Sequence, residues 1–372
     1  AATSAISAAV LTTGTLGFST GYSSSDWSGL LTAVFVKLDG TAGLQAWNAG
    51  ALLNAMDPTK RVILSAKLAT TGAFAGGVEF KTYTDLDSTG QTLLMQPAST
   101  DATLDTGQTR VDWLRGVKTS ETNGAMRVRT NLLGAIIRSQ ALYVAYPADG
   151  YRNNWPKLAN GTAAPETTAT TTPTAGTANV SYEQFSSDQS ARKPILYVAA
   201  NDGMLHAFDA SQKTDGSNTT TSGSELWAYV PRSAYTNLGN LTLKKGFSFA
   251  PTVDATPVTR DVFFDTALTT PATTSAGWHT ILVAGLGQGG RGVYALDVTD
   301  PDPAHAATGV NAANVGSKVL WEFNAGMPAT TAGDPSHLGY TYGQPNIGRL
   351  ANGKWVVLVP GGYFPDCSQG DQ

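Results

Sequence analysis

Cysteine, histidine and charge are all scarce in this chain. One cysteine, Cys367, stands among 372 residues, so neither a disulfide framework nor a thiolate cage can form within it. Cys367 reads as a half-cystine whose partner lies beyond residue 372, or as a free thiol, rather than as a catalytic nucleophile. The four histidines, at 206, 279, 305 and 337, lack metal-ligand spacing. Charged residues make up 14% and the net charge is −4, with no basic cluster, which sets nucleic acid and anionic membranes aside as partners. No apolar run nears the roughly 20 residues that span a bilayer, so no membrane span is expected. The chain lacks an initiator methionine, and Ala1-Ala2-Thr3-Ser4 lacks the charged region of a signal peptide. It is therefore expected to be processed or cut from a longer chain. Low charge and Thr-, Ser- and Ala-rich loops suit export.

What the chain does have is glycine, 40 residues of it, and many short alternating apolar runs. That composition suits strands and turns and argues against helical bundles. The run 195–209, ILYVAANDGMLHAFD, reads as two strands folded at Asn201-Asp202-Gly203, residues that tolerate positive φ. The run 281–297, ILVAGLGQGGRGVYALD, repeats strand, Gly-rich turn, strand and Ala-x-Asp. Leu226-Trp227 follows the first copy and Leu320-Trp321 the second, each with an aromatic two residues after the Trp. The step from Asp209 to Asp297 is 88 residues, and so is the step from Pro257 to Pro345. One shared period predicts an all-β repeat architecture, a β-propeller. A four-stranded blade takes roughly 40–50 residues, so the longer step implies long inserted loops.

Along the chain, residues 1–25 read as an extended lead-in and 26–372 as a partial propeller. Blades are expected at about 26–110, 127–232 and 248–325, with a half blade at 340–363. The first would hold strands at 26–36, 61–66 and 78–83, and 43–49 resembles a degenerate copy of 203–210. Residues 111–116 suggest a short helix ending at Gly116, and 141–144 a strand. The low-complexity insertion at about 152–191 is too poor in large apolar residues to bury a core and reads as a surface loop.

Few residues suggest chemistry. His206 sits where the copy has Tyr294, which favours packing or rim hydrogen bonding over a ligand or base. Asp209 and Asp297 end equivalent strands, and recurrence favours turn caps over a metal site. Trp47, Trp227 and Trp321 read as inter-blade core rather than sugar platforms. The Gly-rich stretch 285–290 leads into a strand, not a helix, so a nucleotide loop is disfavoured. Asp85 and Asp87 hold the first and third positions of a calcium-loop pattern, but Gln96 stands at the twelfth and a turn is the simpler reading. Asp366 and Asp371 decide nothing alone. Sequons at Asn160, Asn179, Asn218 and Asn240 are expected by chance in Thr-rich loops. No nucleophile–base pair and no cofactor site stands out, so no catalytic residue is assigned.

The wording of several segments resembles the PilY family of type IV pilus proteins. They are YVAANDGMLHAFDA at 197–210, LWAYVP at 226–231, GVYALDV at 292–298 and GYTYGQP at 339–345. Upstream, DWSG at 26–29, AWNAG at 46–50, WLRG at 113–116 and RVRTNLLG at 127–134 also fit, in order. The resemblance implies the C-terminal propeller region of an exported, non-enzymatic pilus-tip protein that supports pilus assembly and adhesion. Implied partners are minor pilins, the rest of its own chain, and a host-cell or abiotic surface. Where the family usually has an acidic residue after 132–134, Ala135 stands. The family's calcium loop would lie downstream of residue 372, so calcium is implied only there, and its N-terminal adhesive module is not expected among these residues. Two alternatives remain open at this point. A quinoprotein-like dehydrogenase shares the Trp and Ala-x-Asp pattern but needs adjacent cysteines and a calcium–carboxylate cluster. A generic secreted propeller module with another partner is the other.

Overall fold

Every residue of the strand Ile195–Ala200 is buried, because the strand has a neighbour on each face. Ile195, Tyr197 and Ala199 join one core, while Leu196, Val198 and Ala200 join another. Side chains alternate across a strand, so a continuous apolar run marks a sheet sandwiched between two others. A computed structural model describes residues 3–6, 15–98, 105–168, 180–265, 276–331 and 333–363. Cys367, Asp366, Asp371 and residues 169–179 of the insertion, Asn179 among them, lie outside them.

The sheets stack in chain order. The first is a meander of β1 (Thr3–Ile6), β2 (Leu16–Tyr22), β3 (Gly29–Val36) and β4 (Ala42–Asn48). The second contains β5 (Ile63–Leu68), β6 (Phe74–Glu79), β7 (Leu142–Val144), β8 (Ile195–Ala200), β9 (Met204–Asp209) and β10 (Glu225–Val230) in the order β6-β5-β10-β9-β8-β7. The third is β11 (Val258–Asp265), β12 (Ala276–Gly285), β13 (Gly292–Asp297) and β14 (Val319–Asn324), and β15 (Asn346–Arg349) pairs with β16 (Trp355–Leu358) in the fourth. Phe18, Leu31 and Trp47 pack on Leu196, Val198 and Phe208 between the first two sheets. Tyr197, Leu205 and Tyr229 meet Leu282, Tyr294 and Leu296 between the next two. Val262, Ile281 and Val293 then meet Ile347. Face-to-face sheets joined this way are the blades of an incomplete propeller. An apolar groove of about 720 Å³, with Trp321 and Phe323 on one wall and Val357 and Val359 on the other, runs beside β15 and β16.

Three expectations change. Residues read as lead-in supply β1 and β2, and Leu16 and Phe18 are core. The strands at 61–66 and 78–83 do not join 26–48. Instead β5 pairs in parallel with β10, Ala228 opposite Ile63, and carries β6 with it onto the second sheet. Burial explains the choice: Leu64 and Ala66 complete the core against the third sheet, and Ile63 faces a cluster of helices. The described ends of the insertion are not all surface loop. Tyr182 and Phe185 pack on Phe263 and Trp278. Buried Glu166 accepts from Arg349 Nε at 2.6 Å and Trp355 Nε1 at 3.1 Å.

The expected helix runs Gly107–Arg115, capped at its start by Thr106 and stopped by Gly116 at φ +106°. Its Arg115 donates to the carbonyls of Phe80 and Arg61, tying the helix to the second sheet.

Candidate functional site

The β8–β9 turn organises the region where three sheets meet. Gly203 has φ +97°, and a Cβ there would lie 2.2 Å from Leu238 Cδ2, so only glycine fits both backbone and space. Asn201 donates to Ala135 O at 2.9 Å and to Asp254 Oδ1 at 3.0 Å, and accepts from Thr252 N at 2.9 Å. Asp202 Oδ2 accepts from Gly134 N at 2.7 Å. One turn thus holds the 131–136 segment and the loop before β11.

Beneath the turn is a buried chain of charges. His206, wholly buried on β9, lies 2.7 Å from Glu225 Oε1 through Nδ1 and 3.1 Å from Asp202 through Nε2. Glu225 takes a two-pronged bond from Arg61, 2.6 Å to Nε and 2.8 Å to Nη2. Burial opposes charge on His206, yet Asp202 and Glu225 outweigh it and raise its pKa to about 9. Burial pushes Glu225 up, but Arg61 and His206 pull it down to about 2. A cationic histidine clamped by two carboxylates is a positioning device, with no lone pair left for general-base work.

Above the turn opens a cleft of about 360 Å³. Its walls come from the turn at 25–28, the segment 127–134, residues Asn201 and Asp202, and the stretch from Leu241 to Phe249. Asp26 accepts from Thr130 Oγ1, Ser28 Oγ and Ser28 N, and these bonds, the Thr130 one foremost, hold its carboxyl at about 2. Trp27 carries φ +60°, the left-handed region that glycine favours. It stacks on Phe249 at 3.8 Å and on Tyr22 at 6.0 Å between ring centroids. Arg127 lies 4.2 Å above the Phe247 ring and 5.4 Å from Trp113. Arg129 covers Trp113 at 3.6 Å and donates through Nε to Glu121 at 2.8 Å.

The residues singled out from sequence fall elsewhere. Asp209 Oδ1 accepts from Ser211 N at 2.8 Å, and Asp297 Oδ1 from Thr299 N at 2.9 Å, the same turn cap in two blades. Asp297 also receives His279 Nδ1 at 2.8 Å. Trp227 is fully buried and donates to Pro301 O at 3.0 Å, Trp47 is buried between the first two sheets, and Trp321 is only half-buried beside the apolar groove. Asp87 caps the helix Ser88–Leu94 through Gly90 N and pairs with Arg232, at 2.7 and 2.8 Å, while Asp85 ends a short 3-10 turn. Both lie far in sequence from the cleft and neither lines it. Among the described residues no three His, Cys, Asp or Glu side chains converge as a metal-holding group. The cleft residues Trp27, Arg127, Asp202, Phe247 and Phe249 went unassigned at the sequence level. The visible signal was basic–apolar alternation at 127–129, which has meaning only once Trp113 and Phe247 are placed beside it.

The sequence model described as PilY1 beta-propeller domain matches residues 159–372. The type IV pilus biogenesis factor PilY1 of Pseudomonas aeruginosa strain PAK is 32% identical over 352 residues, covering 92% of this chain and 24% of that protein. The chain belongs to the PilY1 family. A PilY1 homolog from Xylella fastidiosa is also 32% identical, over 95% of this chain and 22% of its own length. The chain thus spans about a quarter of the length of the curated PilY1 relatives it matches. A crystal structure of the P. aeruginosa PilY1 C-terminal domain aligns at 30% identity over 59% of this chain and 31% of that chain, with a TM-score of 0.35. The first sheet and the 127–134 wall of the cleft precede the propeller match at 159, yet the PilY1 identity spans nearly the whole chain.

Proposed function

We propose that this chain is a non-enzymatic propeller scaffold in type IV pilus assembly, exported and carried at the pilus tip. The observation that carries the reading is 32% identity over 92% of the chain to proteins named as type IV pilus biogenesis factors. Minor pilins and the remainder of its own longer chain are its partners. Adhesion to a host-cell or abiotic surface works through the exposed parts of the inserted segments (about 85–108, 152–191, 211–224 and 301–317), whose packed portions, such as the helix Ser88–Leu94 and the residues Tyr182 and Phe185, anchor them to the frame. No cofactor acts within the chain, and calcium belongs to a downstream segment.

The test is complementation. A strain lacking the full-length gene should recover surface pili and twitching with the intact gene but not with one deleted for the region encoding residues 195–363. Tagged full-length protein should co-purify minor pilins from the cell surface. Normal piliation in the deletion strain, or a pull-down free of pilins, would sink the reading.

A further inference from the structure

We propose that the cleft between Arg127 and Asp26 binds a carboxylated sugar unit of the hexuronic acid class. Arg127 spends only Nε, on Leu241 O at 2.9 Å. Its two terminal amino groups make no hydrogen bond among the described residues, and the guanidinium lies 4.2 Å over the Phe247 ring and 5.4 Å from that of Trp113. A stacked guanidinium with both prongs free matches a carboxylate in two-pronged geometry. The neighbouring Arg129 is ion-paired: Glu121 takes its Nε and lies 2.7 Å from Nη2, although Nη2 is buried without a hydrogen bond of its own. The cleft therefore offers the Arg127 fork beside an arginine whose charge Glu121 already balances.

The cleft lining is also acidic. Asp26 and Asp202 belong to it as carboxylates held by protein donors. An ionised carboxylate has about four lone-pair sites, so Asp26 Oδ2, bonded by Thr130, can still accept from a hydroxyl, whereas Gly134 N, Met204 N and His206 already occupy Asp202. A bare anion meets repulsion from Asp26 and leaves its open acceptor site unused. A neutral sugar leaves the Arg127 fork unpaired. A ring bearing both a carboxylate and hydroxyls satisfies the Arg127 fork and the Asp26 acceptor together. Its C–H faces can pack on the aromatic residues that line the cleft, Phe247 and Phe249 among them. Trp27 holds its stack at a left-handed φ of +60°, the kind of strain found at ligand clamps. The volume of 360 Å³ lies at the low end of the roughly 300–1,000 Å³ usual for small-ligand sites, the size of a single sugar unit rather than a chain.

Calorimetric titration of the 372-residue chain with glucuronate, glucose, acetate and N-acetylglutamate amide tests this, with tryptophan fluorescence as a second readout. Glucuronate should bind, with the other three at least about tenfold weaker. Arg127→Gln should weaken glucuronate at least about tenfold in protein that is still folded, with a modest fall in thermal midpoint from the lost Leu241 bond. If that variant unfolds, Arg127→Lys decides, since it keeps the charge and loses the fork. Acetate binding as tightly as glucuronate reduces the cleft to an anion site and overturns the proposal. So does equal binding of glucose or of the glutamate compound, or an unchanged affinity in the Arg127 variants, or no binding at all. The ligand does not depend on the pilus role: complementation tests one and titration the other.

Discussion

His206 and Glu225 face each other across β9 and β10, Nδ1 to Oε1 at 2.7 Å, both wholly buried. The pair fixes how stability must vary with pH. His206 is raised from 6.5 to about 9, so its contribution is complete below about pH 6.5 and disappears as pH rises through 9. Glu225 is depressed from 4.5 to about 2, so its contribution is complete above about pH 4.5 and disappears as pH falls toward 2. The pair therefore predicts a plateau between about pH 4.5 and 6.5, with a loss on the alkaline side of order 3 kcal/mol from His206. Urea unfolding at a series of pH values reads it. His206→Gln should remove most of the slope between pH 6.5 and 9, and an unchanged slope would assign it to another group.

Gly203 and Gly161 separate backbone strain from steric exclusion. Both have positive φ, +97° and +82°, but Leu238 sits 2.2 Å from the Gly203 Cβ position whereas nothing lies within 4 Å of that at Gly161. Gly161→Ala should cost about 1 kcal/mol, the conformational penalty alone. Gly203→Ala should cost at least about 2 kcal/mol more, because the turn must shift and it carries Asn201 and Asp202. Denaturant midpoints measured side by side check the order. Equal losses would mean that Leu238 yields freely.

Period-two alternation, the repeat at 88 residues and the turn residues were legible in the chain, because each depends on neighbours in sequence. The β8–β9 hairpin, the caps at Asp209 and Asp297 and the helix stop at Gly116 are of this kind. What escaped was set by distance. The parallel pairing of β5 with β10 joins residues about 165 positions apart, and no local pattern marks an open strand edge. The charge chain from Arg61 to His206 and the cleft over Asp202 arise from the same long-range pairing. His206 looked interchangeable with Tyr294 because the repeat aligned them, yet only His206 has Glu225 within reach. A repeat aligns backbones and leaves partners free to diverge.

That divergence predicts different costs at the two aligned tryptophans. Trp227 is wholly buried with its indole N–H satisfied by Pro301 O. Trp321 is half-buried on the wall of the apolar groove. Trp227→Ala should cost about 3–5 kcal/mol through a cavity between the second and third sheets. Trp227→Phe should still leave the Pro301 carbonyl short of its donor and cost about 1–3 kcal/mol. Trp321→Phe, which keeps an aromatic ring and strands no buried acceptor in the described structure, should stay within about 1 kcal/mol. Thermal and urea unfolding of the three variants measures the ranking, and equal losses for Trp227→Phe and Trp321→Phe would contradict the burial argument.

Asp87 allows a last test, one that separates a structural carboxylate from a calcium ligand. Its two oxygens accept from Arg232 Nε at 2.7 Å and Nη2 at 2.8 Å, and Oδ1 also caps the helix Ser88–Leu94 through Gly90 N at 2.8 Å. Burial raises its pKa, but Arg232 and the Gly90 amide win and hold it below the usual carboxylate value. Asp87→Asn keeps the size and part of the cap but removes the charge opposite a mostly buried guanidinium. The expected loss is about 1–3 kcal/mol, because Arg232 would stay charged beside a neutral partner. The loss should be the same in EDTA and in millimolar calcium, since protein donors already engage both oxygens. Asp85→Asn, on the neighbouring 3-10 turn, should change little in either condition. A calcium-dependent difference between wild type and Asp87→Asn would instead show that the 85–90 turn opens to bind the ion, and Arg232 would then have to find another carboxylate.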